Sequence, residues 1–177
     1  MTPIIILIIL VVLILAVQSS PTTPRSNWHH TFVNLKFSSQ EFYQAVEESV
    51  KKHEIPDVSF SRVTHSQGGV FGTRREYLRI SRDEYIFDIC AAPFGNDFFV
   101  SWWMGEAVRN VIAKIPVINT IAGKNPKYKT YYQADTEAMF RGSVSQGVQE
   151  AIDQMTSTKG LRALSESDRR FSDSVKL

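Results

Sequence analysis

The chain has 177 residues with 20 basic and 18 acidic side chains, a formal net charge of +2. That surplus is too small for the basic stripe of a strong nucleic-acid binder, so no specific nucleic-acid partner is expected. The 43 % hydrophobic content supports a core, the length suits one domain, and the single cysteine, Cys90, excludes an internal disulfide framework.

Residues 4–17 form an unbroken apolar run, and no charged side chain precedes Arg25. A spanning helix needs about 20 apolar residues and at least about 17, whereas a signal-peptide core needs about 7–15. Uncharged Thr2 and Pro3 on one side and Gln18, Ser19 and Ser20 on the other extend the span to about 18–20 residues. Residues 1–20 are therefore read as a transmembrane anchor, the alternative being a cleaved signal peptide and export. Arg25 and Lys36 follow the run and no basic side chain precedes it, so the charge bias leaves the C-terminal part in the cytoplasm of a single-pass membrane protein.

Residues 21–27, with Pro21 and Pro24, read as a linker. Residues 28–164 then make one α+β domain, and the polar stretch 165–177 reads as a flexible tail. Within the domain, Ser38 and Glu41 have capping-box spacing ahead of Phe42, Val46 and Val50, which predicts a helix over 39–53 ended by Pro56. Four strand-like runs follow at 58–65, 71–80, 85–91 and 98–103. The separators at 66–69, 81–83 and 93–97 are too short for parallel crossovers, so the strands form an antiparallel meander. The third and fourth runs are apolar on both faces, a pattern of strands covered on both sides.

From Glu106 to Ile115, Val108, Val111, Ile112 and Ile115 fit a helical stripe that Pro116 breaks. An apolar piece and a basic, tyrosine-bearing stretch come next. Ile115, Val117, Ile118, Lys124, Lys127 and Lys129 are the residues an interfacial lipid contact would use. Asp135 is read as the cap of a last helix with Phe140, Val144, Val148, Ile152 and Met155 on one side and Gly160 as its stop. Ser143 and Gly147, small and four apart, allow close packing beside that stripe. The predicted architecture is thus α+β: an N-terminal transmembrane helix, then a helix, a four-stranded antiparallel meander and C-terminal helices.

Complete catalytic motifs are missing from the sequence. Asp88 interrupts an apolar strand, and a buried carboxylate needs a partner; pairing around the turn at 81–83 brings Arg75 or Arg79 within reach, and an Asp88 to Arg79 structural ion pair is expected. A hydrolase built from Asp88, Cys90 and one of His29, His30, His53 or His65 is the enzymatic alternative, but no local spacing fixes an imidazole beside the thiol. Adjacent His29 and His30 lack the i, i+4 spacing that aims two ligands one way, and Gly123 and Lys124 lack the rest of a phosphate loop. Neither a metal, a cofactor nor a small-molecule substrate is implied.

The expected function is accordingly a membrane-anchored, non-catalytic binding or assembly domain. Its expected contact surface comprises Arg75, Tyr77, Arg79, Phe99, Trp102 and Trp103, with the bilayer and another protein of a membrane complex as partners. Binding of anionic lipid is the third reading.

Overall fold

The computed structural model describes residues 22–67, 73–107 and 129–173. One antiparallel sheet dominates them, with β1 at Thr22–Phe32, β2 at Ser59–Gln67, β3 at Thr73–Arg82, β4 at Tyr85–Phe94, β5 at Asp97–Ala107 and β6 at Ser172–Asp173. Their order is β2-β3-β4-β5-β1-β6. Two helices accompany the sheet, α1 at Ser39–Lys52 and α2 at Tyr131–Thr158.

Helix α1 begins where local chemistry dictates. The Glu41 N–H donates to Ser38 Oγ at 3.1 Å and the Ser38 N–H donates to Glu41 Oε2 at 3.2 Å, which satisfies two otherwise orphaned donors. A second capping box, Thr130 with Gln133, starts α2. Its cap lies five residues before Asp135, the cap expected from sequence, because Thr130 and Gln133 satisfy each other first.

Both helices pack on one face of the sheet. Phe42 meets Phe98 with ring centroids 5.8 Å apart, and Phe140 meets Phe87 at the same separation. Phe42, Tyr43, Val46 and Val50 of α1, with Phe140, Val144, Val148 and Ile152 of α2, join Tyr85, Phe87, Ile89, Phe98, Val100, Trp102 and Met104 in one core. Each such side chain contributes roughly 1.5–3 kcal/mol on burial. The helices touch through Gly147, where a Cβ would lie 2.6 Å from Val50 Cγ2.

Several expectations need correction. The sheet is not a four-stranded meander: residues 22–32, the first six of which read as linker, form β1 and pair with β5 from Thr22 opposite Ala107 to Phe32 opposite Phe98. Ten backbone partners outweigh the cost of Pro24, which sits beside a register shift between Pro24 and Ser26. The tail is tied down as far as Asp173. Ser172 and Asp173 pair with β1, the Trp28 indole donates to the Asp168 carbonyl at 2.5 Å, and Arg169 grips both Asp153 oxygens at 2.8 Å.

The membrane assignment is corrected too. Residues 1–20, read as the anchor, lie outside the described residues, and among the described residues no helix is long and apolar enough to cross a membrane. The 28-residue α2 has the length, but it carries Asp135, Glu137, Arg141, Glu150 and Asp153 around its apolar stripe. The transmembrane, signal-anchor and single-pass description, and the cytoplasmic placement that followed from it, are therefore withdrawn. Of the helix expected over 106–115, Glu106 and Ala107 belong to β5, and residues 108–115 lie outside the described residues.

Candidate functional site

The face of the sheet away from α1 and α2, which among the described residues carries no helix and is the helix-free face, is built from side chains that alternate with the core. Register places Arg79 opposite Asp88, Asp88 opposite Trp103 and Trp103 opposite Asn27, so these four residues lie in one row across β3, β4, β5 and β1. The neighbouring row runs through Cys90, Ser101 and His29.

At its centre Arg79 clamps Asp88. Nε donates to Oδ1 and Nη2 to Oδ2, each at 2.7 Å, and both residues are buried. A fork-to-fork pair of this kind is among the strongest charge-assisted contacts a protein makes. His65 Nε2 lies 3.2 Å from Asp88 Oδ2, and its ring stands edge-on to Tyr77 at 4.9 Å. Asp88 therefore has two partners from two strands, with the guanidinium occupying both of its oxygens.

A few ångströms along the sheet the ladder opens. β3 pairs with β2 over nine residues but with β4 over only five, Leu78–Arg82 against Tyr85–Ile89. Beyond Ile89 the two hairpins part, and the Tyr43 hydroxyl from α1 enters the fork. It accepts the Ala91 N–H at 3.1 Å and donates to the Glu76 carbonyl at 2.9 Å. Pro93 explains why the strands do not close again. The Ala91 N–H faces the fork, so two residues on Pro93 turns a nitrogen without a hydrogen the same way and forfeits no bond to β5. Burial pushes the Tyr43 hydroxyl up to about 12.

Cys90 borders this fork on the helix-free face. It is fully buried, and burial raises its thiol above the ordinary value despite the opposing charge and hydrogen bond of Arg75. Burial raises Tyr77 as well. A nucleophilic cysteine needs the reverse, a stabilised thiolate with a base at hand. His65 is engaged with Asp88, His53 Nε2 lies 3.1 Å from Glu150 Oε2, and His30 packs edge-on to Phe32 at 4.7 Å. Asp88 is thus held by Arg79, with His65 beside its second oxygen, and the Cys90 thiol is enclosed where burial favours its protonated form. Among the described residues no group of three or more His, Cys, Asp and Glu side chains is arranged to hold a metal ion.

The residues singled out from sequence divide in two. Arg75, Tyr77, Arg79, Phe99 and Trp103 share the helix-free face. Trp102 does not: it is 1 % exposed, packs on Phe87 at 4.8 Å and belongs to the core, whereas Trp103 is 38 % exposed. Period-two alternation sends adjacent tryptophans to opposite faces. His29, stacked 6.4 Å from Phe99, and His65 join the surface without having been assigned to it. The β1 and β2 registers were the missing signal for both.

Of the proposed lipid contacts, Ile115, Val117, Ile118, Lys124 and Lys127 lie outside the described residues. Lys129 is described, and its ammonium is shared between Glu106 and Glu137 while lying 5.2 Å from the Tyr85 ring centroid. Burial opposes ionisation of both Lys129 and Glu106, yet their mutual hydrogen bond, with those from Glu137 and Arg25, holds Lys129 above and Glu106 below their ordinary values. This lysine ties the start of α2 to the end of β5.

No family model matches the chain, no curated protein matches it, and no solved structure matches it.

Proposed function

We propose that the chain is a non-catalytic binding and assembly domain whose contact surface is the helix-free face of the sheet, centred on Trp103 and bordered by Arg75, Tyr77 and Phe99. The carrying observation is Trp103 itself: a tryptophan 38 % exposed on the face that neither helix covers, beside a carboxylate already neutralised by Arg79. Tryptophan and arginine dominate the energetics of protein contacts, and a central charge that arrives paired does not have to be desolvated alone. The protonated, enclosed thiol and the occupied Asp88 support binding over hydrolysis.

The test is a photo-crosslinking amino acid placed at position 103 of the full chain in its native cells, with the same probe at Tyr131, which is 93 % exposed at the start of α2, as the control. A discrete adduct from position 103 and none from 131 is the expected result. Absence of any adduct at 103 would remove the face as a contact surface.

A further inference from the structure

β2 forms one outer edge of the sheet, and all nine of its residues pair with β3 on the inner side. The direction of its free backbone groups follows from the fork. The Glu76 carbonyl points toward β4, where the Tyr43 hydroxyl meets it, so the even-numbered residues of β3 face β4 and the odd-numbered ones face β2. In the β2 and β3 register, Ser61 lies opposite Arg79 and Val63 opposite Tyr77. The odd residues of β2 therefore exchange bonds with β3, and Phe60, Arg62, Thr64 and Ser66 direct their N–H and C=O groups outward. No strand among the described residues pairs with them.

The two edges of the sheet are treated differently. β1 carries Pro24 and a register shift, and it is covered by β6 and by the segment whose Asp168 carbonyl accepts from Trp28. Such devices block the pairing of an edge with another chain. Among the described residues β2 has none of them: its sequence, SFSRVTHSQ, contains no proline, glycine or lysine. Its one formal charge, Arg62, is bound to Glu47 at 2.5 Å and lies 4.9 Å from the Tyr43 ring centroid.

We propose that β2 is a homodimerisation edge, pairing antiparallel with β2 of a second copy about a two-fold axis at Val63. This register sets every outward-facing residue against another outward-facing one. Arg62 falls opposite the partner's Thr64 and Phe60 opposite the partner's Ser66, which with their symmetry mates gives about eight backbone hydrogen bonds. A second copy fits because the register is self-compatible. Val63 meets its own counterpart as a β-branched pair on the helix-free face, Ser61 meets the partner's His65, and no like charges stand opposite each other. Moving the axis to Arg62 would set two guanidinium groups together and shorten the overlap. An isologous contact of this kind closes on itself and leaves no further free edge of the same type.

Val63→Cys tests the register directly. At the two-fold axis the two introduced thiols fall within disulfide range, and diamide oxidises the pair, taking up the two hydrogens they lose. Ser61→Cys is the control, because that register holds its two copies about 13 Å apart, four residues of strand. In the full chain, kept dispersed in a mild non-ionic detergent, Val63→Cys is expected to give a covalent product of twice the 20.1 kDa chain mass and Ser61→Cys none. No product from Val63→Cys, or equal yields from both, overturns the proposal.

Thr64→Pro supplies a second readout by sedimentation equilibrium. It deletes an outward N–H that β3 does not use and is expected to weaken self-association at least about tenfold with the circular dichroism unchanged. Should its dichroism be lost, Thr64→Lys, which faces the partner's Arg62, replaces it with the same expectation. Unaltered association in the folded variant, or a wild type that sediments as a monomer, counts against the pairing. None of these variants touches Trp103, so the edge and the face are tested separately.

Discussion

Tyr43→Phe is the most informative single change, since it removes one oxygen from a fully buried ring that holds two strands at a chosen separation. The hydroxyl accepts the Ala91 N–H at 3.1 Å and donates to the Glu76 carbonyl at 2.9 Å. Phenylalanine keeps the packing of the ring against α1 and the sheet, so the cavity term is small. What remains is one N–H and one C=O left in the fork without that partner. A buried polar group stripped of its partner costs about 1–3 kcal/mol, against about 1 kcal/mol for the net worth of an ordinary hydrogen bond. The expected destabilisation is about 2 kcal/mol, read as a lower urea midpoint with an unchanged m-value.

A pH series adds an independent check. Burial raises Tyr43 from 10.0 to about 12 in the folded protein. A group raised on folding contributes stability that is complete below the unfolded value and lost as pH rises through the folded one. Wild-type stability should therefore fall between about pH 10 and 12, by up to about 3 kcal/mol for a two-unit shift, because only the unfolded chain sheds the proton. Tyr43→Phe lacks this contribution, and Tyr77 and Tyr85 are common to both proteins. The gap between wild type and variant should thus narrow across that interval. A variant within about 0.5 kcal/mol of wild type at neutral pH, or a gap that stays constant from about pH 9 to 12, would refute the bridging role.

Three further changes probe other parts of the fold. Asp88→Ala takes both carboxylate acceptors away from the buried Arg79 guanidinium and should cost about 3–5 kcal/mol in chemical denaturation, whereas Arg79→Met combined with Asp88→Leu should recover most of it. Gly147→Ala pushes a methyl to 2.6 Å from Val50 Cγ2, with Val50 backbone atoms at 3.2 and 3.3 Å behind it. Separation of α1 from α2 should lower stability by about 1–3 kcal/mol in a thermal melt. Trp102→Ala should cost about 3–5 kcal/mol and Trp103→Ala less than about 1 kcal/mol by urea titration, so equal losses would contradict their placement on opposite faces.

Legibility in the sequence followed how local the deciding physics is. The Ser38 and Glu41 capping box fixed the start of α1 because both of its bonds lie within four residues. The hairpin between β3 and β4 was visible for the same reason, although its turn is tighter than the separator at 81–83 implied. Asp83 takes φ +52°, a left-handed value that a short polar side chain tolerates, and pairing resumes at once with Arg82 opposite Tyr85. β1 was hidden by Pro24 and its hydroxyls. Its strand character comes from β5, some 75 residues away in sequence, and the alternation of Trp28, His30 and Phe32 with His29 and Thr31 is its one local trace. The fork had no readable signal. Tyr43 sits in an apolar helical stripe where its hydroxyl counts for nothing in periodicity, and Pro93 reads as turn chemistry when it lies inside β4.

The edge and the face act together once their geometry is combined. Antiparallel pairing of two β2 strands about an axis perpendicular to the sheet keeps both helix-free faces on the same side. β5 is the fourth strand from that axis, so the two Trp103 side chains stand about seven strand spacings, or roughly 34 Å, apart before twist is counted. A partner with two matching sites at that separation would engage the second as an intramolecular event, gaining avidity of about 10²–10⁴ without any new kind of contact, while one with closely spaced sites would gain nothing. Disruption of the edge by Thr64→Pro should therefore weaken only a bivalent partner, and loss of Trp103 should weaken monovalent and bivalent partners alike.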